Sequence, residues 1–263
     1  MSNKAKIREQ AKKLNPIDDA LFRKMAEEKE FCEEILQVIL GDKNLKVISN
    51  NAQYVVSNLQ GRSVILDAYC ILGDGRKINI NIEVQKADDD DHQRRVRYNG
   101  SVLTANIADP GIKFKDVPNV CIVFISRFDV FNEGRALYHI DRVIRETKTA
   151  IDNGFEEIYV NAAVKDNSDV SELMDVFVKD NAYSEKFPVT SASKRRFKET
   201  EEGVNIMCDI IEEIVNQEKK DLEIRLAQAE ESAVKQAARA DKMEAQANKF
   251  KELLRANGIP IPQ

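Results

Sequence analysis

The fold is decided by one stretch of sequence, SVILDAYCILGDGRKININIEVQ, which spans residues 63–85. Its first half is rich in apolar and β-branched residues, and its second half alternates apolar and polar residues over 78–84. The Gly-Asp-Gly sequence at 73–75 separates the halves with residues that favour a turn. The stretch therefore predicts a β-hairpin with a half-buried second strand.

Asp67 and Glu83 place one carboxylate in each strand of this hairpin. Because an unpaired carboxylate buried in an apolar strand is costly, each acid needs a partner. Two acids on adjacent strands suit Mg²⁺, which takes one or two carboxylates, lowers the pKa of a bound water and neutralises an attacked phosphate. The pair predicts a metal site that cleaves phosphodiester bonds. The alternative for either acid is a salt bridge to Arg62 or Lys77, or exposure to solvent.

The rest of the chain predicts a central sheet flanked by helices, an α/β (α+β) core. The segment at 119–125 is continuously apolar, which is typical of a strand buried on both faces. Further strands are predicted at 137–144 and 157–164, and helices at about 17–41, 92–107, 169–180 and from 204 onward.

A heptad pattern distinguishes the C-terminal region from this core. Apolar residues and one glutamine recur at alternating spacings of four and three, a coiled-coil seam formed by Leu222, Leu226, Ala229, Ala233, Gln236, Ala240, Met243, Ala247, Phe250 and Leu254. Since alanine buries little area, two interpretations stay open: a long charged helix packed on its own core or on a partner, and a homodimeric coiled coil. The predicted organisation is a flexible basic arm (1–15), a core (16–203), the long helix or coiled coil (204–257) and a tail (258–263).

Composition limits the kinds of partner that the chain can have. The net charge of −5 gives no bulk attraction to nucleic acid, so binding would need local basic patches or a metal. Four scattered cysteines and two histidines argue against structural zinc and indicate buried thiols in a reducing compartment. We find neither a secretory signal nor an apolar stretch of membrane-spanning length, and we predict a cytoplasmic protein with no membrane partner.

Several of these residues together resemble the PD-(D/E)XK nuclease superfamily. They are Asp67, the turn at 73–75, Ile82-Glu83-Val84-Gln85, Arg94 with Arg97-Tyr98 on the next helix, and Asp19-Ala20-Leu21-Phe22 near the start. The most similar branch is that of the PD-(D/E)XK family transposases, or recombination-promoting nucleases, over roughly residues 15–180. The resemblance implies a restriction-endonuclease-like mixed sheet flanked by helices, a magnesium site and cleavage of DNA.

The resemblance also implies roles for individual residues. Asp67 and Glu83 would hold Mg²⁺, or Mn²⁺ in its place, together with the backbone carbonyl of Val84. Gln85 stands where most members of the superfamily have lysine; it can orient a water but carries no charge. Glu34, on the first helices, is a candidate additional metal ligand, with a solvated helix surface as its alternative.

Basic residues elsewhere are candidates for nucleic-acid contacts. Arg94, Arg97 and Tyr98 could contact a phosphate or support Gln85, or the arginines could instead neutralise the acidic run at 88–91. The basic segment at 194–198 could follow a nucleic-acid backbone or form an exposed linker.

These observations favour a Mg²⁺-dependent DNA endonuclease that promotes recombination or acts on mobile or foreign DNA, with a homodimer through its C-terminal helix as one of the two open interpretations of that region. The alternative is a catalytically silent nucleic-acid-binding or coiled-coil assembly protein that retains the nuclease fold. Gln85 and the acidic net charge keep this alternative open.

Overall fold

The computed structural model describes residues 3–57, 63–83 and 91–256 of the chain. The helices of this part are α1 (Asn3–Lys13), α2 (Asp19–Met25), α3 (Lys29–Ile39), α4 (His92–Ile107), α5 (Asp169–Val178), α6 (Pro188–Glu199) and α7 (Glu201–Ala256). The strands are β1 (Val47–Val56), β2 (Val64–Leu72), β3 (Lys77–Glu83), β4 (Val120–Ser126), β5 (Leu137–Ile140), β6 (Arg142–Val143), β7 (Ala150–Ile151) and β8 (Phe155–Asn161).

Six of these strands form one mixed sheet in the order β1-β2-β3-β4-β8-β5. The first three strands are antiparallel, β3, β4 and β8 run parallel, and β5 returns antiparallel to β8. β6 and β7 form a separate two-stranded sheet. The predicted α/β architecture with a mixed sheet flanked by helices is confirmed.

The predicted hairpin is β2–β3, and its turn follows from the local sequence. The amide of Leu72 donates to the carbonyl of Arg76, and the amide of Gly75 donates to the carbonyl of Leu72. Gly75 has a φ of 89°, a conformation in which a side chain would be strained. The Asp74 carboxylate accepts from the amide and Nε of Arg76, which holds the turn closed.

Helices cover both faces of the sheet, and β4 is buried throughout. On one face Val96 and Leu103 of α4 pack with Ile122, Phe124 and Tyr159. The alternate β4 residues face the opposite side, where α2, α3 and α5 contact the sheet. Ring contacts among Phe22, Phe31 and Phe177 join these three helices, with ring centroids 5.8 to 6.5 Å apart.

The chain divides into two compact units, Met1–Ile210 and Ile211–Gln263. The first unit extends past the expected boundary at residue 203 because Val204 and Met207 of α7 are buried in it. At the other end, residues 3–13 form α1 and are not a flexible arm. Arg8 bonds to Asn205 and Glu201, and Ala11 is fully buried, so this helix is packed onto the first unit.

The basic segment at 194–198 lies in α6 and is neither a linker nor a uniformly exposed patch. Lys194 is fully buried, and its ammonium donates to the carbonyls of Val176, Lys179 and Ala182 at the end of α5. Lys198 is also buried and donates to Asn15. Both lysines are structural: Lys194 satisfies carbonyls at and just beyond a helix end, and Lys198 bonds the side chain of Asn15.

Burial lowers the pKa of Lys194 to about 8 from an ordinary value of 10.5. Between these two pH values the unfolded chain binds more protons than the folded chain, so the stability that Lys194 contributes rises with pH. We therefore expect the free-energy cost of Lys194→Met to grow by about 2 kcal/mol between pH 7 and pH 9.5.

Urea unfolding of wild type and variant at both pH values measures this difference. Lys115→Met, at an exposed position, serves as the control and should show the same cost at both pH values. A cost of Lys194→Met that stays constant or shrinks with pH would contradict the assignment.

Candidate functional site

Asp67 is a buried carboxylate in the middle of β2. Its side chain is only 10% exposed, and its neighbours Leu66 and Ala68 are fully buried. Helix α2 supplies a cation: Nη2 of Arg23 lies 3.4 Å from Oδ1 of Asp67. The ion pair thus involves Arg23, which was not one of the two partners weighed from the sequence.

Arg23 is shared between two carboxylates. Its Nε lies 2.6 Å from Oδ1 of Asp19, one helical turn earlier on α2. The contact to Asp67 is the longer of the two, at the limit of hydrogen-bonding distance. Arg23 therefore supplies positive charge beside Asp67 while it is held more closely by its own helix.

Glu83 is the last residue of β3, and its backbone pairs with Ser126 at the end of β4. In the β2–β3 ladder, Ile71 pairs with Lys77 at one end and Ala68 pairs with Ile80 at the other. Asp67 lies one residue beyond Ala68 on β2, and Glu83 lies three residues beyond Ile80 on β3. For strands about 4.8 Å apart with a rise of about 3.3 Å per residue, this offset puts their Cα atoms on the order of 8 Å apart. Residues whose Cα atoms are about this far apart on neighbouring strands can carry carboxylates that share one ion.

The carboxyl ends of β3 and β4 meet the start of α2. Arg127 directly follows β4, and its Nη2 bonds Oδ1 of Asp18 at 3.1 Å. Buried Ser126 donates through Oγ to the carbonyl of Phe128 and fixes the chain as it leaves the strand. Two arginines, Arg23 and Arg127, therefore accompany the candidate site, and both are paired with aspartates of the α2 start.

Sequence reasoning missed both arginines, although each had a local signal. Arg23 follows Asp19 by four residues, the spacing of an ion pair on a helix. Arg127 comes directly after the predicted buried strand, where a side chain reaches the strand's carboxyl end. Neither belongs to a cluster of charges, which is why they were not singled out.

Glu34 has a different role from the metal ligand that was expected. Its Oε1 accepts from the amide of Val189 at 3.0 Å, and its Oε2 accepts from the amide of Thr190 at 2.7 Å. These amides are in the first turn of α6, where a helix has free N–H groups and favours negative charge. Because both of its oxygens are engaged there, we leave Glu34 out of the proposed metal site.

The predicted nucleic-acid contacts lie on α4. Arg94, Arg97 and Tyr98 are exposed on this helix, while Val96 and Asn99 face the core. Arg94 and Tyr98 are four residues apart and share one side of the helix. Their exposure leaves the arginines accessible to a phosphate.

His92, at the start of α4, is a packing residue. It is buried against Phe124 and Phe128, with ring centroids 5.8 and 4.8 Å away. Neither ring nitrogen has a hydrogen-bond partner within the part of the chain that the structure describes.

A cavity of about 490 Å³ lies away from Asp67, beside the first residues of β8. Its lining mixes both charges, including Arg76, Arg142, Asp152 and Glu156. Because Glu83 and Ser126 pair at the opposite end of the parallel strands, this cavity is separate from the candidate site.

The proposed metal ligands fit a hard divalent cation by their chemistry. All are oxygen donors, two carboxylates and one backbone carbonyl, and Mg²⁺ prefers such ligands. Among residues 3–57, 63–83 and 91–256, no group of three or more His, Cys, Asp or Glu side chains forms a metal cluster. The set of proposed ligands extends beyond that part of the chain, since Val84 lies outside the described residues. Gln85 and the acidic run up to residue 90 lie outside them as well.

The mixed sheet flanked by helices, with a buried acid on its central hairpin, defines a restriction-endonuclease-like fold. The family model for PD-(D/E)XK nuclease family transposases matches residues 16–179, more than half of the chain, and the protein belongs to this family. Neither the curated proteins nor the solved structures give a match. Membership supports a nuclease-like function, and nucleases of this kind generally use divalent metal ions.

Over the described residues, no helix is long and apolar enough to cross a bilayer.

A buried carboxylate that serves as a metal ligand has a measurable signature without any substrate. We expect Asp67→Asn to weaken Mn²⁺ binding by at least about tenfold, because a neutral amide cannot replace a carboxylate on a hard cation. Titration calorimetry or the electron paramagnetic resonance signal of free Mn²⁺ measures the affinity. Asp109→Asn, at an exposed aspartate, is the matched control. Equal Mn²⁺ affinity in wild type and Asp67→Asn would remove Asp67 from the metal site.

Proposed function

We propose that the protein is a Mg²⁺-dependent endonuclease that hydrolyses phosphodiester bonds of DNA, with Mn²⁺ able to replace Mg²⁺. One observation carries the proposal: the buried carboxylate of Asp67 lies one strand away from the end of β3 at Glu83, in a chain that belongs to a nuclease family. A carboxylate buried in an apolar strand favours nearby positive charge, and a metal ion would add to the charge that Arg23 supplies.

In this proposal Asp67, Glu83 and the carbonyl of Val84 hold the ion. The bound ion supplies a water of lowered pKa and neutralises charge on the attacked phosphate. Gln85 orients the attacking water by a hydrogen bond. Arg94, Arg97 and Tyr98 contact the DNA backbone, to which exposed arginines bind through charge and paired N–H groups.

Processing of mobile or foreign DNA, or promotion of recombination, is the biological setting that the family's description suggests. We place the activity in the cytoplasm, where the four cysteines, all unpaired, would stay reduced. Dimerisation through the C-terminal helix is a separate proposal, argued below.

A second candidate is a catalytically silent protein that retains the fold and binds DNA or assembles through its helix. Gln85 favours it, because glutamine gives no positive charge to stabilise the developing charge on the phosphate. The net charge of −5 favours it as well, since it weakens attraction to DNA.

Nicking of supercoiled plasmid in Mg²⁺ or Mn²⁺ separates the two candidates. We expect wild type to nick, and Asp67→Ala and Glu83→Ala each to lose at least about 100-fold in rate, because each removes a ligand of the ion. Asp109→Asn and Glu133→Gln, at exposed acids, should retain the wild-type rate. No nicking by wild type in either metal at high protein concentration would leave the silent candidate.

Gln85→Lys tests whether the neutral residue limits turnover. A lysine would add positive charge near the attacked phosphate, so we expect nicking to accelerate by about tenfold or more, while Gln85→Met should slow it. The metal affinity of both variants should stay near that of wild type, since the Gln85 side chain is not a proposed ligand. A Gln85→Lys variant that binds metal normally and nicks no faster would contradict this role for the position.

A further inference from the structure

The second unit presents an exposed apolar seam along α7. Every seam position from Leu222 to Ala247 is exposed. Leu222, Leu226 and Met243 keep 68%, 59% and 70% of their surface in water. A regular row of exposed apolar side chains at heptad spacing is a surface that another helix can cover.

The heptad assignment follows from the spacings. The d positions are Leu222, Ala229, Gln236, Met243 and Phe250, and the a positions are Leu226, Ala233, Ala240, Ala247 and Leu254. The flanking e positions then include Glu223, Glu230 and Glu244, and the g positions include Arg225 and Arg239. The charged e positions are thus acidic apart from Lys251 at the last one, and the charged g positions are basic.

This arrangement of charges distinguishes the two orientations of a helix pair. In a parallel pair each g residue faces the e residue five positions later on the partner. Arg225 would then face Glu230 of a second copy, and Arg239 would face Glu244, in both directions across the interface. In an antiparallel pair e faces e and g faces g, so no g arginine would meet an e glutamate, and Glu230 would face Glu244.

Three of the four charges in these pairs are not needed by their own helix, whereas Arg225 has Asp221 four residues before it. No opposite charge lies three or four residues away from Glu230, Arg239 or Glu244, the spacing at which helical residues pair. By contrast, Lys235 and Glu231, on the side away from the seam, form an ion pair within the helix. The flanking charges are therefore available to a second chain.

From these observations we infer that residues 222–254 form a parallel, in-register coiled coil with a second copy of this chain. In register, Gln236 at d meets Gln236 of the partner, and a paired amide in an apolar seam penalises other registers. The alanines bring the two helices close but bury little area, so the flanking ion pairs and the Leu222–Leu226 end contribute much of the specificity. The inference is independent of the proposed nuclease activity.

Charge variants of the full chain test the pairing by sedimentation equilibrium. Arg225→Glu with Arg239→Glu puts glutamates on both sides of the seam, and we expect the dimer Kd to rise by about 100-fold. Adding Glu230→Arg and Glu244→Arg swaps every pair, and the dimer Kd should return to within about tenfold of wild type. Circular dichroism controls for helix content. A monomeric or trimeric wild type, or a double variant as dimeric as wild type, would overturn the inference.

Cysteine crosslinking tests the orientation. In a Cys208→Ser background, Ala229→Cys places thiols at adjacent d positions of a parallel pair, and oxidation should give a crosslinked dimer. In an antiparallel pair position 229 would lie opposite the other end of the seam. Glu231→Cys, at an outward position, is the matched control and should not crosslink. Crosslinking at 231 but not at 229 would overturn the parallel register.

Discussion

The backbone ladder between β2 and β3 is the interaction on which the rest of the structure depends. It joins an antiparallel half of the sheet to a parallel half, because β3 pairs antiparallel with β2 and parallel with β4. The parallel half is covered on both faces, so β4 is buried throughout and apolar up to its last residue, Ser126. β2 also carries the Asp67 carboxylate. The hairpin that joins the two halves of the sheet therefore also holds a candidate metal ligand.

The hairpin, β4 and α4 could be predicted because their signals are local. Apolar alternation, a glycine turn and a continuous apolar segment each determine a secondary structure within about ten residues. β1 was not predicted from the sequence. It is an edge strand whose polar residues are exposed, and it joins the sheet by pairing with β2 of the hairpin. The basic segment at 194–198 was predicted to be a nucleic-acid contact or an exposed linker and lies instead in α6, since Lys194 is buried only where α5 ends beside it.

The candidate site was predictable in part for the same reason. Asp67 stands out as a lone charge in an apolar strand, a contrast visible in the sequence itself. Glu34 could not be assigned, since its two bonds go to amides more than 150 residues away. Arg23 likewise meets Asp67 only through the packing of α2 on the sheet. Contacts across elements depend on tertiary placement, which spacing along the chain does not encode.

The two contacts of Arg23 bear on how a metal site and a stable fold can coexist. Without a cation, the Asp67 carboxylate would be buried beside apolar neighbours, and Arg23 reduces that cost from 3.4 Å away. The shorter contact to Asp19 keeps Arg23 on α2. A divalent ion at Asp67 would therefore not leave the guanidinium buried without a carboxylate, because Asp19 remains beside it. A site of this design holds its ligand beside a positive charge before the ion arrives and needs little rearrangement when it does.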